Sequence, residues 1–223
     1  MGGNQYHYRF DFPEGRTLEF DVDTSAPPKT LENPPKWVEL GHRQCGNCPL
    51  DSATHRYCPA AMGLVHVIEP FESVDSTEKV TATVTNQRRI VHRSTDVQTA
   101  LRSLIGLLMP ISGCPILGRL RGLTTFHLPF SDRDETVFRV VSSYLLQQYL
   151  VELDGGEPDW KLQGMRTLYE DLQQVDTAFA DRMRSAMRGD AGVNALVALF
   201  SLAALVSMSV DEDLARIRER MLT

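Results

Sequence analysis

Apolar and polar residues alternate from the first positions of the chain. Tyr6, Tyr8, Phe10 and Phe12 are interleaved with His7, Arg9 and Asp11, and after Pro13-Glu14-Gly15-Arg16 the alternation resumes at Leu18, Phe20 and Val22. A period of two places one set of side chains on one face of an extended strand, so this stretch predicts a β-hairpin. Four of the twelve prolines fall between Ser25 and Pro35, which marks an extended connection. Trp37 to Leu40 predicts a short strand, and the polar, cysteine-rich run from Gly41 to Tyr57 a loop. Pro59 opens a short helix to about Ile68, because proline at the first helical position gives up an N–H that has no partner there. Lys79 to Thr85 and Arg88 to His92 predict a second hairpin around Asn86-Gln87.

The period changes from two to 3.6 near Ser94. Ser94 or Thr95 caps a helix carrying Leu101, Leu104, Ile105 and Leu108, which stops before Pro110. Ser131 with Asp134 caps a long helix to Leu153, closed by Gly155-Gly156. A third helix starts at Asp159, carries Leu162, Met165, Leu168, Leu172, Val175, Phe179 and Met183 at steps of three and four, and ends at Gly189. An apolar segment, Ala191 to Val210, and a polar tail from Asp211 complete the chain. Strands first and helices after predict an α+β fold, a small antiparallel sheet in the N-terminal half packed on a C-terminal helical bundle. The expected organisation is a single domain over 1–223, strand-rich with the cysteine loop up to 93 and helical over 94–223.

Ala191 to Val210 is twenty residues without a charge, the length of a membrane span. Asn194, Ser201, Ser207 and Ser209 dilute its apolarity, acidic residues flank it, and no Lys or Arg cluster sets an orientation. The expectation is a helix in the centre of the bundle and no membrane association, with Asn194 and Ser201 finding buried partners.

Composition narrows the function classes. Hydrophobic residues are 42% and charged residues 23% of the 223, an ordinary globular balance. The formal charge of -6 argues against nucleic-acid binding, which needs clustered Lys and Arg. The short basic clusters, Arg88-Arg89 with His92-Arg93 and Arg119 with Arg121, read as solvated faces or single-anion sites. The opening residues lack a charged start followed by an apolar run, so a cytoplasmic location with reduced thiols is expected. No G-x-G-x-x-G, G-x-x-x-x-G-K-[ST], H-E-x-x-H or G-x-S-x-G motif occurs, which weakens nucleotide and simple hydrolase readings.

The chemistry lies in the cysteines. Cys45 and Cys48 are a C-x-x-C pair, Cys58 follows after nine residues and Cys114 after a further fifty-five, with none spare. Two sulfurs at that spacing flank one ion, and two more complete the four ligands of zinc or of an iron–sulfur cluster. Cys48, Cys58 and Cys114 each precede a proline. Proline holds the preceding residue extended and suits a first helical turn, so Cys58 and Cys114 are expected at helix N-termini, where the partial positive charge favours thiolate. The set Cys45, Cys48, Cys58, Cys114 is therefore the predicted metal site, with an iron–sulfur cluster of the 4Fe–4S kind preferred. Zn2+ is the alternative, and a Cys45/Cys48 dithiol the metal-free option. His127, lone among apolar residues in Phe126-His127-Leu128-Pro129-Phe130, reads as a hydrogen-bonded core histidine, a proton donor or a replacement ligand. His42 and His55 flank the cysteines as alternative ligands. Glu135 and Arg139 form an i,i+4 pair, worth about 0.3–0.5 kcal/mol when exposed.

Cys-x2-Cys-Pro-Leu, Tyr57-Cys58-Pro59-Ala60-Ala61, Ser112-Gly113-Cys114-Pro115, Phe126-His127-Leu128-Pro129-Phe130, and Glu135-Thr136 with Tyr144-Leu145-Leu146 together resemble an uncharacterised bacterial domain family over most of the chain. The resemblance implies a free-standing bacterial protein whose cysteines and His127 are its distinctive features. It transfers no catalytic residues. The expected function is redox or sensing around the cluster, with a protein partner; the alternative is a non-enzymatic interaction protein held by structural zinc.

Overall fold

The structure, a computed structural model, describes residues 5–27, 29–186 and 188–222, with the backbone alone at 200, 202–211 and 213. β1 (Gln5–Asp11) and β2 (Thr17–Asp23) form the first hairpin, and β3 (Lys79–Asn86) and β4 (Ile90–Asp96) the second. Alternation works as the pattern requires: Tyr6, Tyr8 and Phe10 are buried between exposed or half-buried neighbours, opposite Val22, Phe20 and Leu18 of β2. The hairpins join through β1 and β3, giving one antiparallel sheet in the order β2-β1-β3-β4. Phe71 meets Phe10 edge-on at 5.5 Å and stacks on Phe20 at 6.0 Å, pairs worth about 0.5–1.5 kcal/mol each beyond their burial.

Five helices follow the strands or lie between them: α1 (Pro59–Ile68), α2 (Val97–Ile111), α3 (Arg133–Leu153), α4 (Gln163–Arg184) and α5 (Ala191–Leu222). α2 packs between the sheet and the bundle, touching β3 and β4 on one side and α5 on the other. α5 also packs on α3 and α4. The architecture is α+β, and one hydrophobic cluster runs from Tyr6 in the sheet to Leu196 in the last helix.

Several boundaries differ from the sequence reading. Trp37 to Leu40 is not a strand: Lys36–Val38 is a 3-10 turn, and a single bridge joins Glu39 to Tyr57. Ser94 and Thr95 finish β4, and the cap of α2 is Asp96, whose carboxylate accepts the Thr99 N–H at 2.9 Å. Pro110 lies within the last turn of α2, where its missing N–H removes only one helical bond. Asp132, not Ser131 or Asp134, caps α3 in a reciprocal box with Glu135. Glu135 is thus engaged with the Asp132 N–H, while Arg139 donates to the Leu123 and Phe126 carbonyls. Asp159 precedes α4 by a turn, and its carboxylate accepts from the Gly164 N–H and the Tyr144 hydroxyl.

α5 runs through the polar tail to Leu222 as one helix. Its first turns are buried, but Val197 is 38% exposed and Ser201 exposed, so that part shows one open face. The expected central burial of the side chains at 200 and 202–210 lies outside the described residues. Asn194 finds its partners, donating to Ser76 and Asp190, whereas Ser201 bonds back to Val197 of its own helix. Among the described residues no helix is long and apolar enough to cross a membrane.

Candidate metal centre

All four cysteines border one cavity. Cys45 and Cys48 come from the loop after the 3-10 turn, Cys58 from the cap of α1, and Cys114 from the connection between α2 and α3; Leu40, Val175, Phe179 and Arg182 complete the wall. All four thiols are free. Burial pushes the Cys45 thiol up to about 12, and the charges of Cys58, Cys114 and Cys48 add to it, in that order, which places the other three thiols within electrostatic reach. Among the described residues no set of three or more His, Cys, Asp and Glu side chains is gathered as metal ligands. The thiols share a cavity without being drawn into a coordination shell.

Cys58 and Cys114 sit in matching turns. Cys58 is the N-cap of α1; its side chain makes no cap hydrogen bond, but the Ala61 and Ala60 amides face it and lower its thiol. Cys114 has the Leu117 and Ile116 amides in the same two places, ahead of the 3-10 helix Leu117–Thr124 rather than an α-helix. Cys-Pro-x-x is the local cause: proline holds the cysteine extended and starts the turn whose second and third amides face back to the sulfur. These amides pull both thiols down, as the sequence reading expected. Burial outweighs them, and both thiols end above the ordinary value. Even with the Arg182 charge acting on Cys45 and Cys58, burial leaves Cys45, Cys58 and Cys114 holding their protons, the opposite of what a nucleophilic thiol at Cys45 needs. A bound cation reverses that balance by deprotonating its ligands.

Arg182 is the residue that sequence reading missed. It is 1% exposed, and its guanidinium donates to the carbonyls of Trp37, Glu39 and Leu40 at 2.5, 2.7 and 3.2 Å. Those carbonyls are the neck of the cysteine loop, which is also closed by Leu40 N–H to Arg56 O and Cys58 N–H to Val38 O. Burial works against the Arg182 charge, while Cys58, Cys45 and Cys48 favour it. One cation therefore fixes the loop and faces the sulfurs. Its signal was positional: Arg182 falls three residues after Phe179, on the buried stripe of α4.

Residues 6–221 match the family described as Domain of unknown function (DUF6901). The chain belongs to that family. No curated protein and no solved structure matches it.

The histidines stand apart from the thiols in their bonding. His42 pairs with the Ser185 hydroxyl at 2.7 Å and His55 with Thr54 at 3.0 Å. His127 meets the Tyr8 hydroxyl at 2.5 Å, and Tyr8 also reaches the Ser103 hydroxyl at 3.1 Å. Burial pushes His127 down to about 3, and the Arg139 charge adds to it, so the ring is neutral at physiological pH. That is the hydrogen-bonded core histidine among the three readings.

Proposed function

We propose that the chain is a redox or sensing protein in which Cys45, Cys48, Cys58 and Cys114 hold an iron–sulfur cluster of the 4Fe–4S kind. The observation that carries this reading is that four thiols from three separate segments, every cysteine in the sequence, border one cavity. Four thiolates are the ligand set of such a cluster. Amides facing Cys58 and Cys114 are the kind of outer contact that tunes cluster potentials. Arg182 sets a positive charge beside a group that carries net negative charge with four thiolates. Its clamp on the loop neck also keeps Cys45 and Cys48 in place. A cytoplasmic, reducing setting keeps the thiols available.

An electron carrier or sensor hands its signal to a protein partner, and α3 offers a surface for one. It exposes Phe138 and, over its last two turns, Leu146, Tyr149, Leu150 and Leu153, a cluster of apolar side chains of the kind that marks interaction sites.

The second reading is a non-enzymatic interaction protein held by structural zinc. One observation favours it: the space among the thiols is about 20 Å3, suited to a single ion. Zinc would draw four sulfurs to about 2.3 Å from the metal, about 3.5–4 Å from one another.

Anaerobic purification of the full chain, followed by iron, sulfide and zinc determination, tests both. The expected protein is brown, bleaches on reduction, and holds about four iron and four sulfide per chain. A colourless protein with one zinc transfers the assignment to the second reading. Metal-free protein, with a Cys114→Ser variant melting where the parent does, removes both.

A further inference from the structure

A second cavity, independent of the cysteines, lies between α2, α3, α4 and the segment from Leu117 to Phe130, with a volume of about 140 Å3. Its wall is mostly apolar, with Met109, Leu120, Leu172 and Val140 among the lining residues, yet two arginines, Arg102 and Arg139, line it as well. Neither forms an ion pair among the described residues. Arg139 is spent partly on the Leu123 and Phe126 carbonyls; Arg102 makes no hydrogen bond among the described residues. Burial acts against both charges; at Arg102 the neighbouring Arg93 adds like-charge repulsion and Asp96 opposes it, and at Arg139 Tyr6 and Glu135 oppose the burial. Asp96 and Glu135 are the carboxylates that act on them, but both are engaged at the caps of α2 and α3, so the half-buried Arg102 is left unpaired in an apolar pocket that an anion would stabilise.

The wall is also held in a strained form. Phe130 has φ 59°, the left-handed region that a bulky side chain avoids. Both its main-chain groups are fixed by side chains: its N–H donates to the Ser103 hydroxyl at 3.2 Å, and its carbonyl accepts from Arg93 at 2.9 Å. Ser103 in turn bonds Tyr8, which holds His127 on the same wall. Strain over-determined in this way concentrates at ligand sites.

We infer that this cavity binds a small aromatic carboxylate, its ring among the apolar residues and its carboxylate facing Arg102. Size suits a single ring: a dry cavity of about 150 Å3 takes one benzene, and this one has about 140 Å3. The guanidinium fork selects a planar anion. Phosphate would bring a second charge, and the apolar wall offers nothing more to receive it.

The test is titration calorimetry on the full chain with its native metal content, using sodium benzoate, benzamide and inorganic phosphate as probes. Saturable one-to-one benzoate binding is expected, with benzamide and phosphate each roughly tenfold weaker or more, because only benzoate supplies both ring and single charge. Arg102→Met, at a side chain that anchors no main chain, is expected to weaken benzoate roughly tenfold and to bring it close to benzamide. Absence of benzoate saturation overturns the inference, as does equal affinity for benzamide or phosphate. These comparisons use the unaltered protein, so they decide even where the variant fails to fold. If the variant folds and binds benzoate as tightly as the parent, the cavity is not the site.

Discussion

Arg182, fully buried, and His127, half-buried, show how a single polar group shapes this molecule. An arginine inside a protein is tolerated only when its donors are taken up, and Arg182 distributes them over three carbonyls of the loop neck. Nothing in the helical pattern announces those partners, since they lie more than 140 residues earlier in the chain. His127 was legible as a candidate because it interrupts an apolar run, but its partner Tyr8 read only as a strand residue. Its pH behaviour follows from its burial. The folded chain holds the His127 proton only below about 3, against an ordinary value of 6.5. The unfolded chain therefore binds more protons between those values, and the folded state loses stability as pH falls from about 6.5 towards 3. Tyr6 and Tyr8 from β1 and Arg139 from α3 face the ring. Asp176 works in the opposite sense, because burial pushes its carboxyl up to about 6 from 3.8 and stability is gained as it protonates. His127→Gln keeps an amide for Tyr8 and removes the titration. Urea midpoints of parent and variant, compared from pH 6 to pH 4, are expected to converge or cross by about 1 kcal/mol per pH unit in favour of the variant. Parallel profiles would mean that His127 is not buried neutral.

At the scale of elements, periodicity located the strands and helices while local chemistry misplaced their ends. The first hairpin and α1 are found where alternation and Pro59 put them. The caps of α2 and α3 were each shifted by one or two residues, because several Ser, Thr and Asp residues compete there and only the folded geometry selects Asp96 and Asp132. Gly189 shows a different limit. It reads as a helix terminator, yet α4 has ended by Ser185, and the glycine is needed for a close approach. Its N–H donates to Glu72 O at 2.6 Å, and a Cβ there would meet Val74 O at 2.9 Å and Glu72 O at 3.0 Å. The adjacent Asp190 accepts from both the N–H and the hydroxyl of Ser76. This two-residue contact ties the start of α5 to the loop before β3. Gly189→Ala must push main chain aside and is expected to lose about 1–3 kcal/mol, roughly 3–10 °C in Tm. Gly118→Ala, where a Cβ meets open space, serves as the control and is expected to melt with the parent. If Gly189→Ala also melts within a degree of the parent, the close approach is not maintained in solution.

Across the whole molecule, the order of elements was enough for an α+β fold, but the joining of β1 to β3 was not readable. Hairpins are local, whereas that pairing closes about seventy residues of chain and depends on both strands burying one face against the same helices. The cysteines belong to the same scale. Their spacing marked them as a set, yet only the fold could bring Cys114, fifty-six residues past Cys58, to the same cavity. The segment between His42 and His55 is the part this arrangement leaves most dependent on a metal. Its own main-chain bonds are few, His42 to Glu39, Cys48 to Cys45 and two to Asp51, and its ties to the bundle run through Asn47 to Asp171 O and His42 to Ser185. The sheet and α2 are held by their own ladder and core. On the proposed metal reading, chelation of the metal under anaerobic conditions should therefore loosen one region and spare the other. Hydrogen exchange is expected to speed up by roughly tenfold or more across 42–55 and at the first turn of α1, with β1 and β3 unchanged. Global Tm is expected to fall at the same time, because a ligand bound only by the folded state stabilises it by mass action. Uniform acceleration across the sheet would show instead that the metal supports the whole fold. Unchanged exchange at 42–55 after complete metal loss would show that Arg182 and the loop neck hold the cysteines by themselves, and the metal would then contribute chemistry without structure.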